Sequence, residues 1–357
     1  MKDRESRQIT GDEASPAFRL PAEEAFGGES PNRLAARGAS RGSVDISVVI
    51  VNWNTRELLL DCVASLIEQT RASTLEIIVV DNDSRDGSME ALAERFPQVI
   101  SIRNPDNLGF SKANNQGLRI ARGRYLCLVN SDVKALDGVL DKLRAFMEAQ
   151  PDVGAVAPRT VGGDLKLRKN CREYPSIRNA LCQAVFLDQL FPSVGAFRGR
   201  DLRDYDYATT REIEVLSGCF LMVRRAVIEK VGMLDERFFI YSEDVDWCKR
   251  IRAGGWKVVY LPSAEAIHYG GSSSTVERVL FNREMLKANL QYWRKHHGRA
   301  ATLLFWALQI LGATLRAVGW SVLTLIGLGH GRCRAQAIEY WRMLQWLITG
   351  GFHLAAA

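Results

Sequence analysis

The chain has little of what marks several large protein classes. Its seven cysteines (Cys62, Cys127, Cys171, Cys182, Cys219, Cys248 and Cys333) include no Cys-x-x-Cys spacing, and their number is odd. Neither a disulfide framework nor a zinc site is expected, and a reducing compartment is the simpler setting. Several sit in apolar stretches, where a free cysteine behaves as a small hydrophobe. Met1 to Val44 holds no apolar segment, which argues against a signal peptide. That stretch mixes Arg, Glu, Ser, Gly and Pro, so residues 1–44 read as a disordered leader. No internal repeat is evident. No glycine fingerprint follows the first apolar run, because Asn52-Trp53-Asn54-Thr55 stands there, and a dinucleotide oxidoreductase is excluded. The net charge of +6 suits phosphorylated substrates or anionic lipid. It comes with no nucleic-acid recognition motif, so no nucleic-acid partner is expected.

Of the 357 residues, 47% are hydrophobic and 25% charged, an ordinary globular balance that leaves room for one large α/β domain with appendages. Apolar runs at Ile46–Val51, Leu75–Val80, Val99–Ile102, Arg124–Val129 and Val153–Ala157 read as strands. Between them lie helical patterns. Asn54 and Glu57 suggest a capping box before a helix whose core face is Leu59, Cys62, Val63, Leu66 and Ile67. Ser88–Phe96, Ser111–Ala121 and Leu136–Ala149 are the others. Alternation from residue 46 to 157 predicts a mostly parallel sheet with helices on both faces. Residues 162–211 look irregular and suit an acceptor-facing insertion better than core.

The strand ends carry the chemistry. Asn130-Ser131-Asp132 follows one run, and Asp81-Asn82-Asp83-Ser84-Arg85-Asp86-Gly87-Ser88 follows another. Ligands of open α/β sheets bind at the carboxyl ends of strands. Oxygen side chains there suit a hard cation that carries a diphosphate. A carboxylate just past a strand can accept from a ribose hydroxyl or a pyrimidine N–H, while Asp86 and Ser88 can equally serve the turn and the next helix cap. Asn107–Asn115 holds three asparagines around Gly109, which permits positive φ before a helix start. Glu243, Asp244 and Asp246 open a helix behind the apolar Phe238–Tyr241. Such a wall can raise a carboxylate pKa toward that of a general base. His268 precedes the glycine- and serine-rich Gly270–Ser274, a segment able to close over a diphosphate.

The C-terminal region is different again. Arg294, Lys295, His296, His297 and Arg299 lead into Ala300–Leu328, where only Arg316 is charged. As one span it could cross a bilayer, with Arg316 at the centre costing about 2.5–3.5 kcal/mol. As two helices broken near Gly312 and Gly319 it suits the membrane interface better, and that reading is preferred over a buried appendage.

Taken in order, VVIVNWN (48–54), VVDNDSRDGS (79–88), NLGFSKANNQG (107–117), YLCLVNSD (125–132), SGCFLMVRR (217–225), DERFFIYSEDVDWCKRIRAGGW (235–256) and the His268–Ser273 segment resemble the inverting glycosyltransferases of family 2, over roughly residues 46–275. The resemblance implies the GT-A fold: an α/β, mostly parallel nucleotide-binding sheet flanked by helices. Here that comprises residues 45–275, followed by a helical, membrane-associating region at 276–357. Within the family the chain looks most like bacterial rhamnosyltransferases that use dTDP-L-rhamnose for cell-surface polysaccharide. Another donor such as a UDP-sugar, or sugar-nucleotide binding without catalysis, are the alternatives. The resemblance implies Asp244 as catalytic base with Glu243 as runner-up. Asn52, Asp81, Asp83, Gly109, Asn114 and Asn130 would line the nucleotide sugar. Asp132 and His268 would hold Mn²⁺ or Mg²⁺. Asn130 replaces the first Asp of the family's acidic pair, and a neutral amide oxygen is a weaker ligand. Asp246 would orient the site or pair with Arg250. The implied partners are a nucleoside diphosphate sugar and a lipid-linked or polysaccharide acceptor, at the cytoplasmic side of the plasma membrane.

Overall fold

The structure, a computed structural model, describes residues 44–356 apart from 192, 198, 201, 203, 204, 271–277, 328 and 329. The leader and the segment expected to close over a diphosphate thus lie outside the described residues, except for Val44 and Gly270. The first half alternates as its patterning predicts: β1 (Ile46–Asn52), α1 (Arg56–Gln69), β2 (Leu75–Asn82), α2 (Ser88–Arg95), β3 (Ile100–Asn104), α3 (Phe110–Ile120), β4 (Tyr125–Asn130), β5 (Val133–Ala135), α4 (Val139–Ala149) and β6 (Val153–Val161). Short elements follow: β7 (Leu167–Arg168), β8 (Cys171–Arg172), α5 (Ile177–Ala184), α6 (Leu187–Leu190), β9 (Arg211–Glu212) and β10 (Val215–Leu216). Then come β11 (Phe220–Arg224), α7 (Arg225–Val231), α8 (Glu243–Ala253), β12 (Lys257–His268), α9 (Arg278–Leu325), α10 (His330–Trp346) and α11 (Phe352–Ala356).

The large sheet runs β3-β2-β1-β4-β11-β6-β12-β5, with β7 beside β6 and β9 beside β12. Strands β3, β2, β1 and β4 are parallel, so their carboxyl ends gather on one edge. Strand β11 enters antiparallel between β4 and β6 and brings its amino end to that same edge. Side chains alternate across the sheet. Val48 and Ile50 pack with Leu59, Val63 and Leu143 from α1 and α4. Val49 packs on the opposite face with Ala113 of α3, Val227 of α7, and Trp247 and Ile251 of α8.

Three local expectations change. Asn54 does not cap α1, because its φ of 53° turns its Oδ1 to the Arg85 N–H at 2.7 Å. The cap comes instead from Asp86, whose Oδ2 accepts from the Arg56 N–H at 2.8 Å, a partner brought from 30 residues away. Ile67 is exposed rather than on the core face. The irregular stretch contributes core, since Cys171, Tyr205 and Tyr207 are buried with Tyr260.

The helical C-terminus also departs in detail. Helix α9 is continuous through Gly312 and Gly319, and its break is at Gly298 (φ 75°, ψ −178°). Its first half is not a separate body. Leu290, Tyr292 and Trp293 are buried with Phe238 and Val245, and Ser43–Ala357 forms one compact unit. The boundary expected at residues 275/276 lies outside the described residues.

Candidate active site

At the parallel edge, five side chains form a hydrogen-bonded frame. Asn52 has no exposed surface, and its Nδ2 donates to Asp81 Oδ1 (2.8 Å) and Ser84 Oγ (3.0 Å). Its Oδ1 accepts from Thr55 Oγ1 at 2.8 Å, and Thr55 also bonds Ser131 at 2.7 Å. The other Asp81 oxygen accepts from the Ser84 N–H at 3.0 Å. Asn52 and Asp81 therefore have their polar atoms engaged within the protein, where they lock the β1, β2 and β4 ends into one rim. Asp83 is the carboxylate of this segment that faces outward, at φ 63° and 3.2 Å from Arg85.

Gly109 and the asparagines fix the next wall. Gly109 has φ 81°, and a Cβ there would lie 2.5 Å from the Phe239 carbonyl oxygen. The adjacent Phe110 N–H donates to that same oxygen at 2.6 Å, which docks the start of α3 against the segment before α8. Asn114 is buried and bonds within its own helix, to Phe110 O at 2.9 Å. Asn115 reaches across to the Leu234 backbone and Glu236. Lys112 is exposed.

Asn130, Asp132 and His268 converge where β4 ends and β12 pairs with β5. His268 Nε2 lies 3.2 Å from Asp132 Oδ1 and 3.5 Å from Asn130 Nδ2. The second Asp132 oxygen accepts from the Gly270 N–H at 3.1 Å. Burial pushes the Asp132 carboxyl up, but the hydrogen bond and charge of His268 and the Gly270 N–H outweigh it and hold it below its ordinary value. Burial lowers His268, yet its bonds to Asp132 and Cys219 lift it to about 10. Asn130 Oδ1 is buried with no partner. An orphaned oxygen beside a carboxylate and an imidazole is a donor set for a divalent ion. Two donors on one octahedral ion at ~2.1 Å stand about 3 Å apart, which matches the Asp132–His268 separation. The residues fit the metal that the resemblance implies.

Helix α8 supplies the acids. Its cap, Ser242, is left-handed (φ 64°) and turns Glu243 inward, leaving Asp244 partly exposed. Glu243 is 6% exposed. Burial, then the neighbouring Asp244 charge, pushes its carboxyl well above the ordinary range. Burial thus raises Glu243, the runner-up for the base. Asp244 Oδ2 accepts from the Gly218 N–H at 3.3 Å, and the next residue, Cys219, accepts from the Asn130 N–H at 2.9 Å. Gly218–Cys219 therefore bridges the acidic pair to the metal corner. The sequence contained this segment as SGC, but nothing in its residue types signalled that role. Asp246, fully buried, pairs with Arg250 (2.8 Å) as expected, and also with Lys295 (2.5 Å) and His296 (2.7 Å) of α9. Two members of the basic run read as a membrane flank are thus internal partners of the acidic helix.

Residues 47–232 match glycosyl transferase family 2, and residues 200–357 match glycosyl transferase family group 2. The chain belongs to glycosyl transferase family 2. It is 30% identical over 243 residues to the N-acetylglucosaminyl-diphospho-decaprenol L-rhamnosyltransferase of Mycobacterium tuberculosis, covering 64% of this chain and 77% of that protein. It is 25% identical to an O-antigen biosynthesis protein of Myxococcus xanthus, over 70% of this chain and 19% of the longer relative. In structure it resembles the mannosyltransferase PcManGT of Pyrobaculum calidifontis, solved with GDP-Man and Mn²⁺, at TM-score 0.51 and 16% identity over 86% of this chain and 88% of that one. That likeness establishes the GT-A fold. This family 2 protein is a glycosyltransferase, with the strand-end rim, the Asn130–Asp132–His268 corner and the α8 acids on one edge of the sheet.

Proposed function

We propose that this glycosyltransferase is inverting and metal-dependent, and moves L-rhamnose from dTDP-L-rhamnose to a hydroxyl of a lipid-linked saccharide at the cytoplasmic face of the membrane. The observation that carries the mechanism is the partly exposed Asp244 carboxylate, joined through Gly218–Cys219 to the Asn130–Asp132–His268 corner. Asp244 takes the proton from the acceptor hydroxyl, and that oxygen attacks the anomeric carbon in line, opposite the departing diphosphate. Asp132 and His268, with Asn130 beside them, would hold Mn²⁺ or Mg²⁺, which neutralises charge on the leaving group when bound. Asp83 meets the base or ribose. Asn52, Asp81, Gly109 and Asn114 shape the donor pocket through the frame they hold. Glu243, whose carboxyl is raised by burial and by the Asp244 charge, supports the helix start.

The donor, acceptor and metal are supported by the rhamnosyltransferase relative, whose acceptor is named as a diphospho-decaprenol, and by the fold neighbour solved with Mn²⁺. Membrane association is supported by α9. Its Asn282–Leu325 portion is long and apolar enough to cross a bilayer. Yet Arg316 donates to Gln183 O at 2.7 Å and lies 4.3 Å from the Phe186 ring, tying one face to α5 and α6. The outer face exposes Leu304, Leu311, Leu315, Val318 and Val322 at helical spacing. A helix clamped to its own domain on one side and apolar on the other suits the interface rather than a span.

The test is transfer from dTDP-L-rhamnose to a prenyl-diphosphate N-acetylglucosamine with Mn²⁺, alongside UDP- and GDP-sugars. Asp244→Asn should keep donor affinity and lose kcat by about 10²–10⁴-fold. Transfer from a UDP-sugar alone would overturn the donor, and loss of donor binding in Asp244→Asn would overturn the base.

A further inference from the structure

Helix α10 packs against both halves of α9. Leu344 is buried with Leu286 before the Gly298 break and with Ala313 after it. Where α10 passes the first half, a cleft of about 320 Å³ opens. Its lining includes two guanidinium groups, Arg283 and Arg342, with the Trp346 indole and the polar ends of Gln345 and Thr349. Arg283 lies 5.9 Å from the Trp346 ring centre. Among the described residues, neither Arg283 nor Arg342 lies within ion-pair distance of a carboxylate. The lining carboxylate, Glu339, is held by Asn282 Nδ2 at 2.6 Å and Gln336 Nε2 at 3.4 Å. The residues just before Arg342 on α10 and just before Thr349 in the turn that follows it are Trp341 and Ile348, both exposed. A cleft lined by two guanidinium groups and one carboxylate, net positive, therefore borders an apolar surface.

Its position relative to the acids is fixed by α9. Asn282 at the cleft and Asn289 lie seven residues apart, on one helix face and about 10.5 Å along the axis. Asn289 Oδ1 accepts from Ser242 Oγ at 3.2 Å, and Ser242 caps the helix that begins Glu243-Asp244. The cleft and the acidic pair are thus ends of one short rigid segment.

We propose that this cleft binds a phosphate group carried on a lipid, with the phosphate between Arg283 and Arg342 and the hydrocarbon against the Trp341–Ile348 side. Planar guanidinium forks match phosphate oxygens, and an indole suits the boundary between polar and apolar surroundings. Resting on the lipid-linked acceptor proposed above, the phosphate is that of the acceptor's diphosphate linker, and the cleft sets the distance from linker to reacting hydroxyl.

The experiment uses the full-length chain and the double variant Arg283→Gln/Arg342→Gln. Sedimentation is measured with phosphatidylcholine vesicles alone, with added farnesyl diphosphate, and with phosphatidylglycerol at equal surface charge. Removing both charges should weaken binding to the farnesyl diphosphate vesicles about 30-fold, at about a factor of five per arginine near an anionic surface. Binding to plain phosphatidylcholine should be unchanged, which shows the fold and the apolar face intact. A larger loss with farnesyl diphosphate than with phosphatidylglycerol assigns the cleft to the acceptor linker. An equal loss assigns it to bilayer headgroups and overturns the acceptor assignment. No loss with either overturns the cleft altogether. Wild-type protein that binds farnesyl diphosphate but transfers sugar to no lipid-linked acceptor would refute the proposed function and leave the cleft standing.

Discussion

Glu243→Gln should stabilise this protein, increasingly so as the pH rises. Glu243 is 6% exposed and its Oε2 has no hydrogen-bond partner, so burial and the Asp244 charge keep the carboxyl protonated well above its ordinary range. In the unfolded chain a glutamate ionises near pKa 4.3. Between that value and the raised folded value, the unfolded state binds fewer protons than the folded state, so wild-type stability falls with pH. The slope is at most about 1.4 kcal/mol per pH unit. Glutamine has nearly the same shape as the protonated acid and no proton to lose. The two proteins should therefore be about equally stable near pH 4 and differ by up to about 2 kcal/mol at pH 6. Urea denaturation from pH 4 to 7.5 reads the difference directly, and the variant should keep most of its kcat. A glutamine variant less stable than wild type at pH 7, or a difference that does not grow with pH, would mean that Glu243 is ionised and paired, and the division of labour between Glu243 and Asp244 would fail.

Asp132→Ala should abolish Mn²⁺-dependent donor binding in calorimetric titration and lower the melting temperature without metal, because His268 loses its carboxylate partner; undiminished transfer in excess EDTA would remove the metal from the mechanism. Gly109→Ala should cost about 1–2 kcal/mol for its φ of 81° and more for the overlap with Phe239, read by urea denaturation, and should weaken the donor Kd. Lys295→Met should lower stability by about 1–3 kcal/mol, because Asp246 is fully buried and loses one of its partners. Substituting Leu311, Leu315 and Val318 together with Gln should release the protein from vesicles without lowering its melting temperature, whereas ending the chain at Tyr292 should unfold it, because Trp293 and Phe305 belong to a buried cluster.

Particular residues show what could be read in advance. The five apolar runs and four intervening helices were legible because each element's patterning is local: a strand alternates every two residues and a helix every three to four. The oxygen-bearing ends of β2 and β4 followed from the same logic, and so did the ordered motifs that carry the family resemblance. Long-range hydrogen bonding was not legible. Asp86 caps α1 as well as the start of α2, and Asn54 serves Arg85 instead, because a cap needs only an oxygen in reach, whatever its distance in sequence.

The sequence by itself determined the α/β class, the family and the residue types gathered at the sheet edge, since these rest on local periodicity and on side-chain chemistry. Tertiary structure alone decided how each acid behaves. Glu243 and Asp244 are neighbours in the chain, yet the left-handed turn at Ser242 buries one and leaves the other partly exposed, and burial sets a carboxyl's pKa. It also decided that Lys295 and His296, which read as a lipid-facing basic flank, are bonding partners of Asp246, because the first half of α9 lies against α8. A charge's role depends on what lies within a few ångströms of it, and only the folded chain sets that distance.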